Sequence, residues 1–224
     1  MKKVVFLFVA LFFVSSAFSQ VKFGIKAGGN LSSLSKLSVS ESGLSMTIIE
    51  PDGMGIGYHG GLFANISMGR FIGLQPELLF SMQTGKLKPG KFFTETFGLR
   101  DAKATYQLGY ISLPLLFELK PVSNFGILVG PQVNYNVTRK VTVSYNGIEE
   151  TLAGKDLDNE FLPLRKIDAG VTFGLQGKIG ENLFIGARYY LGLIDALDPD
   201  DAFLGMKLKG FKSNVIQFSL GYAF

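Results

Sequence analysis

Hydrophobic and polar residues alternate along most of this chain. From Val21 the odd positions read Val21, Phe23, Ile25 and Ala27, and the even ones Lys22, Gly24, Lys26, Gly28 and Asn30. Successive side chains of a strand point to opposite faces, so this period of two predicts a strand with one apolar and one polar face. The same texture returns over 56–66, 72–83, 111–119, 125–137, 167–176, 183–192 and 216–224. In the fifth run, for example, Ile127, Val129, Val133, Tyr135 and Val137 are set against Gly126, Gly130, Gln132, Asn134 and Asn136. The pattern predicts eight strands.

The joins between runs fall into two kinds. Gly69-Arg70, Pro121–Asn124 and Gly180–Asn182 are short, whereas Ser33–Met54, Gly85–Lys103, Arg139–Pro163 and Ile194–Gly210 are long and polar. Short turns at one end and long loops at the other predict an all-β fold: an eight-stranded antiparallel up-and-down transmembrane β-barrel with periplasmic turns and extracellular loops. Each run has room for the roughly 9–11 residues a membrane strand needs. A soluble lipocalin-like barrel would turn its apolar face inward and has no reason to sort its loops by length.

Glycine dominates the polar face (Gly24, Gly28, Gly57, Gly61, Gly130 and Gly174 among others), as suits the narrow interior of eight strands. The charges predicted on that face are Lys22, Lys26, Glu77, Glu118, Asp168 and Arg188. Enclosed by an apolar wall they must pair, which predicts a salt-bridged plug in place of an open channel. Pro76, Pro114 and Pro131 fall inside strands, where a missing N–H predicts local bulges. Val141–Tyr145 followed by Asn146-Gly147 predicts that strands five and six continue beyond the membrane as a ribbon.

The chain's start adds a destination. Met1-Lys2-Lys3 precedes an apolar run to Val14 and a small, polar stretch to Gln20, the build of a secretory signal peptide cut after Ser19. The expected division is a signal over 1–19 and a barrel domain over 20–224. After the signal no run of eighteen apolar residues offers a membrane helix. Cleavage removes Lys2 and Lys3 and takes the formal net charge from +4 to +2. The remaining cations are scattered, which excludes nucleic acid as a partner. There is no cysteine, hence no lipoprotein anchor, disulfide or zinc-thiolate site.

Candidate chemistry is sparse. His59, the only histidine, is predicted to face the interior, and no serine stands at a telling spacing from it, so the expectation is a packed histidine and no hydrolase. Asp195, Asp198, Asp200 and Asp201 crowd the fourth loop, but their spacing fits no EF-hand and predicts a solvated acidic loop. No catalytic residue, cofactor or metal site is expected.

Several segments resemble the PorT-like outer membrane β-barrel family. They are Gly24–Leu31, Gly60–Ala64, Leu74–Phe80, Ile111–Leu116, Gly130–Gln132, Ala187–Gly192 and the closing Ser219–Phe224. The resemblance implies an outer-membrane barrel, makes the strand prolines family features, and carries no catalytic residues. Bacterial barrels of this kind commonly end on an aromatic residue, and the barrel assembly machinery reads that last strand. Phe218, Leu220, Tyr222 and Phe224 are therefore the expected assembly signal strand, with an interfacial aromatic girdle as the bland reading. The expected partners are outer-membrane lipids, the assembly machinery and envelope proteins. The expected function is a non-enzymatic structural, accessory or surface-interaction role with a closed lumen. A narrow porin-like channel and an accessory subunit of a secretion or surface-assembly complex are the alternatives.

Overall fold

A computed structural model describes residues 21–41, 44–90, 94, 102–145, 148–154, 165–195 and 207–224. The signal segment over 1–19 lies outside these residues. Among the described residues twelve strands form one sheet. Eight of them are the predicted runs: β1 (Val21–Leu34), β4 (Gly55–Ser67), β5 (Ile72–Pro89), β6 (Lys103–Val122), β7 (Phe125–Tyr145), β9 (Ile167–Ile179), β10 (Leu183–Gly192) and β12 (Ser213–Ala223). The other four are β2 (Leu37–Glu41), β3 (Leu44–Pro51), β8 (Ile148–Ala153) and β11 (Lys207–Gly210).

The eight long strands close on themselves in the order β1-β4-β5-β6-β7-β9-β10-β12, every neighbour antiparallel. Closure is made where the first strand meets the last, from Gly24↔Ala223 to Leu34↔Ser213. A closed ring leaves no unpaired edge, which is what lets strands cross a bilayer. Polarity is inverted relative to a soluble protein. Ile25, Leu62, Phe117, Leu175 and Leu220 lie open on the outside, while Asn30, Gln75, Glu77, Thr172 and Gln217 are buried inside.

Three sequence expectations change here. The strand prolines cause no bulges. Pairing on either side of Pro76 keeps one register (Pro76↔Leu115, then Leu79↔Ser112), as does pairing beyond Pro114 (Pro114↔Gln132, then Phe117↔Val129). The missing donors interrupt the ladder without shifting it. The bulges lie elsewhere, one of them where Gly109↔Thr138 is followed by Tyr110↔Asn136, leaving Val137 as the extra residue on β7.

That bulge turns the strand over. Below it Gln132, Asn134 and Asn136 point inward; above it Val141 does, and Lys140 points out. Val141 joins Leu34, Leu37, Leu87, Tyr106, Leu108, Tyr110 and Phe211 in a buried apolar cluster at the long-loop end. Phe211 reaches it from a left-handed corner, with φ of 114° at Gly210 and 63° at Phe211. A bulky residue rarely adopts that conformation, and here the burial of its ring offsets the strain.

The long joins also hold more order than loops. In the first, β2 and β3 pair with each other, β11 adds to β2, and β3 pairs with the outer end of β5 from Ile49↔Pro89 to Pro51↔Leu87. In the third, the ribbon forms between β7 and β8, from Tyr145↔Ile148 to Lys140↔Ala153. The sixth barrel strand, β9, takes no part in it, contrary to expectation. Asn146-Gly147 lies outside the described residues.

Candidate functional site

Glu77 projects from β5 to the middle of the lumen. Its carboxylate accepts hydrogen bonds from Lys26 Nζ on β1 (3.0 and 3.3 Å), from Arg188 Nη1 on β10 (2.7 and 2.8 Å) and from Gln75 Nε2 (2.7 Å). All three charged side chains are almost fully enclosed. Glycine makes room for them: a Cβ on Gly174 would overlap the Arg188 side chain. Two cations on one anion, with charge-assisted bonds to each, form the plug.

The polar chain continues toward the short turns. Gln75 Oε1 accepts from Asn65 Nδ2 (3.2 Å), and the same nitrogen donates to Glu118 Oε2 (2.7 Å). Lys120 Nζ binds Glu118 (3.2 Å), Asn65 Oδ1 (3.3 Å) and Ser67 Oγ (3.3 Å). Of the six charges predicted for the lumen, the structure thus gathers Lys26, Glu77 and Arg188 directly and ties in Glu118 through Asn65 and Gln75. It leaves two apart. Lys22 is exposed at the mouth, because β1 begins one residue earlier and its end stands at the rim. Asp168 is buried higher in the lumen and is held by neutral donors, Tyr190 OH (2.8 Å) and Asn134 Nδ2 (3.1 Å), in place of a cation.

Lys120, Asn65 and Gln75 were missed as network members. Lys120 was findable, since it stands two residues from Glu118 and so shares its face. The amides carry no charge to single them out.

His59 is packed inside the barrel, as its place on the polar face predicts, but its partners come from distant strands. Its Nδ1 lies 2.7 Å from Asn30 Oδ1 and its Nε2 2.8 Å from Ser219 Oγ. Asn30 uses its amide nitrogen on Ser81 Oγ, so its oxygen faces the ring as an acceptor. Nδ1 therefore carries the proton and Nε2 accepts from the serine hydroxyl. A serine does stand beside His59, 160 positions away in sequence, brought there by barrel closure. The order of groups is that of an activated nucleophile. The surroundings are not: His59 is only 2% exposed, and the gap bordered by Ser219, Lys26, Phe63 and Arg188 measures about 10 Å³. That is space for one water at most, with none for an acyl group. The trio clamps β1, β4 and β12 together.

Of the acidic fourth loop, Asp195 is described and lies 3.9 Å from Lys212 Nζ. Asp198, Asp200 and Asp201 lie outside the described residues. On the terminal strand Phe218, Leu220, Tyr222 and Phe224 all face outward, with the rings of Tyr222 and Phe224 in edge contact at 5.7 Å.

Above the plug the apolar cluster sits at the long-loop end. Below it Phe63 and Phe184 meet edge to face at 6.0 Å, and beyond them a chamber of about 130 Å³ opens among Lys22, Asn65, Ser67, Glu118, Lys120 and Lys178. An eight-strand ring, apolar outside and hydrogen-bonded within, is the construction of a small integral outer-membrane barrel. The chain belongs to the family described as Outer membrane protein beta-barrel domain, which matches its residues 15–198. No curated relative matches it in sequence. Among solved structures it is similar to Ail, the attachment invasion locus protein of Yersinia pestis, in complex with the heparin analogue sucrose octasulfate (15% identity, TM-score 0.43, covering 92% of this chain and 99% of that one). It is also similar to Neisserial surface protein A (13%, 0.44, 90% and 95%). A further likeness is to OprG from Pseudomonas aeruginosa (14%, 0.43, 91% and 95%).

Proposed function

We propose that this chain is a non-enzymatic outer-membrane barrel with a largely closed lumen, acting in a structural, accessory or surface-interaction role through the part that stands beyond the membrane. One observation carries the reading: the apolar cluster around Leu108, Tyr106 and Phe211 caps the Lys26–Glu77–Arg188 plug. Two successive obstructions of opposite chemistry are hard to reconcile with a solute path. The strands extended past the membrane, with β2, β3, β8 and β11 added to them, supply surface for contacts. The cramped setting of Ser219 supports a non-enzymatic role.

Conductance in planar bilayers tests this reading. The reconstituted chain is expected to give almost none; steady single-channel steps would favour the narrow pore instead. A partner that stays bound through mild-detergent purification would narrow the role to an accessory subunit.

The finer family placement is also a proposal. Gly24–Leu31, Leu74–Phe80 and Ser219–Phe224 support a PorT-like barrel, and the outward row from Phe218 to Phe224 supports β12 as the strand offered to the assembly machinery.

A further inference from the structure

We propose that the chamber at the short-turn, periplasmic end of the lumen binds a small soluble oxyanion of the phosphate or carboxylate type. Three cations line it, Lys22 from β1, Lys120 from β6 and Lys178 from β9, against one carboxylate, Glu118. That carboxylate is already taken by Lys120 and Asn65. Among the described residues Lys22 and Lys178 have no side-chain partner, so two positive charges face the chamber uncompensated. Cations of one sign around a cleft with low-dielectric walls focus the field and concentrate counter-ions. The rim adds hydrogen-bonding groups from Ser67, Ser123 and Asn124.

The chamber is also a dead end. Phe184 lines its inner side, the Phe63 ring stands edge to face against it, and the Arg188–Glu77 pair lies behind them. An anion that enters is held at the mouth and does not travel through. The volume of about 130 Å³ accommodates a phosphate-sized group. This site lies at the opposite end of the barrel from the surface assigned above and does not depend on that assignment.

The test uses isotopically labelled barrel folded in a maltoside detergent, titrated at constant ionic strength with inorganic phosphate and, separately, with succinate. Saturable amide shifts are expected at Ser123, Asn124 and Gly126. Affinity should fall about tenfold in Lys22→Gln/Lys178→Gln, the scale of two lost charge contacts in a watery cleft. It should stay unchanged in Lys86→Gln, an exposed lysine at the outer end of β5. Heat-modifiable mobility in SDS checks that each variant is folded. Shifts that never saturate, or equal affinity in the double variant, overturn the proposal. So does phosphate binding that survives in phosphatidylcholine nanodiscs and vanishes when phosphatidylglycerol is added, because a lipid headgroup would then be the occupant.

Discussion

Arg188 and Glu77 stand on strands four places apart around a ring of eight, whichever way the ring is followed, and their side chains meet across its full width at 2.7 Å. The lumen at that level is thus spanned by an ion pair and braced from a third strand by Lys26.

Glu77→Ala is expected to destabilise the folded barrel by about 3–5 kcal/mol, because it strands two buried cations without a counter-ion. Replacing Lys26, Glu77 and Arg188 together by apolar residues of similar volume should cost far less. Urea unfolding in detergent, followed by the loss of fast SDS mobility, measures both. Equal losses for the single and triple variants would sink this account of the plug.

Truncating Lys26, Glu77 and Arg188 together to alanine is expected to leave conductance close to that of the parent chain. The apolar cap of Leu34, Leu108 and Phe211 lies above the plug and would still seal the outer end. Planar-bilayer recording decides the matter, and large open steps in this variant would show that the cap does not close.

Ser219→Ala and His59→Ala should leave outer-membrane lipids unmodified relative to the parent. Each should cost stability on the order of 1–3 kcal/mol, the cost of leaving a buried partner unsatisfied. Mass spectrometry of extracted lipid and the same unfolding assay are the two readouts. A change in acylation that follows Ser219 would reinstate the hydrolase.

Gly28→Ala should impair folding more than Gly126→Ala. A Cβ at Gly28 would overlap the Phe218 backbone carbonyl and press on the His59 ring, whereas at Gly126 it meets the movable Glu118 side chain. Overpacking of the first kind costs about 1–3 kcal/mol or more. The folded fraction after refolding into detergent should rank the two.

Much of this architecture was legible in the sequence because a barrel strand writes its two faces in alternate letters. Ile25 against Lys26 and Phe117 against Glu118 needed no other information. Legibility failed where the period broke: the extra Val137 reverses the faces of β7, and the alternation gives no sign that Val141 turns inward. It failed again where order depends on a neighbour. β3 pairs with the outer end that β5 offers, and β2 and then β11 add to it in turn. The site was less legible than the fold. Asp168 was expected to need a cation, but neutral donors on Tyr190 and Asn134 serve it. Ser219 meets His59 only because the ring closes, which no local spacing encodes.

The pair that spans the lumen has a consequence for the order of events in folding. Glu77 and Arg188 lie 111 positions apart, and their approach requires all eight strands to be in register. Such a contact rewards the finished ring and nothing earlier, so it belongs to the far side of the transition state. Weakening it should leave the rate of insertion nearly untouched and quicken the rate of opening. The plug is in that sense a latch: it sets how long the barrel stays shut once made, and has little say in how quickly it is made.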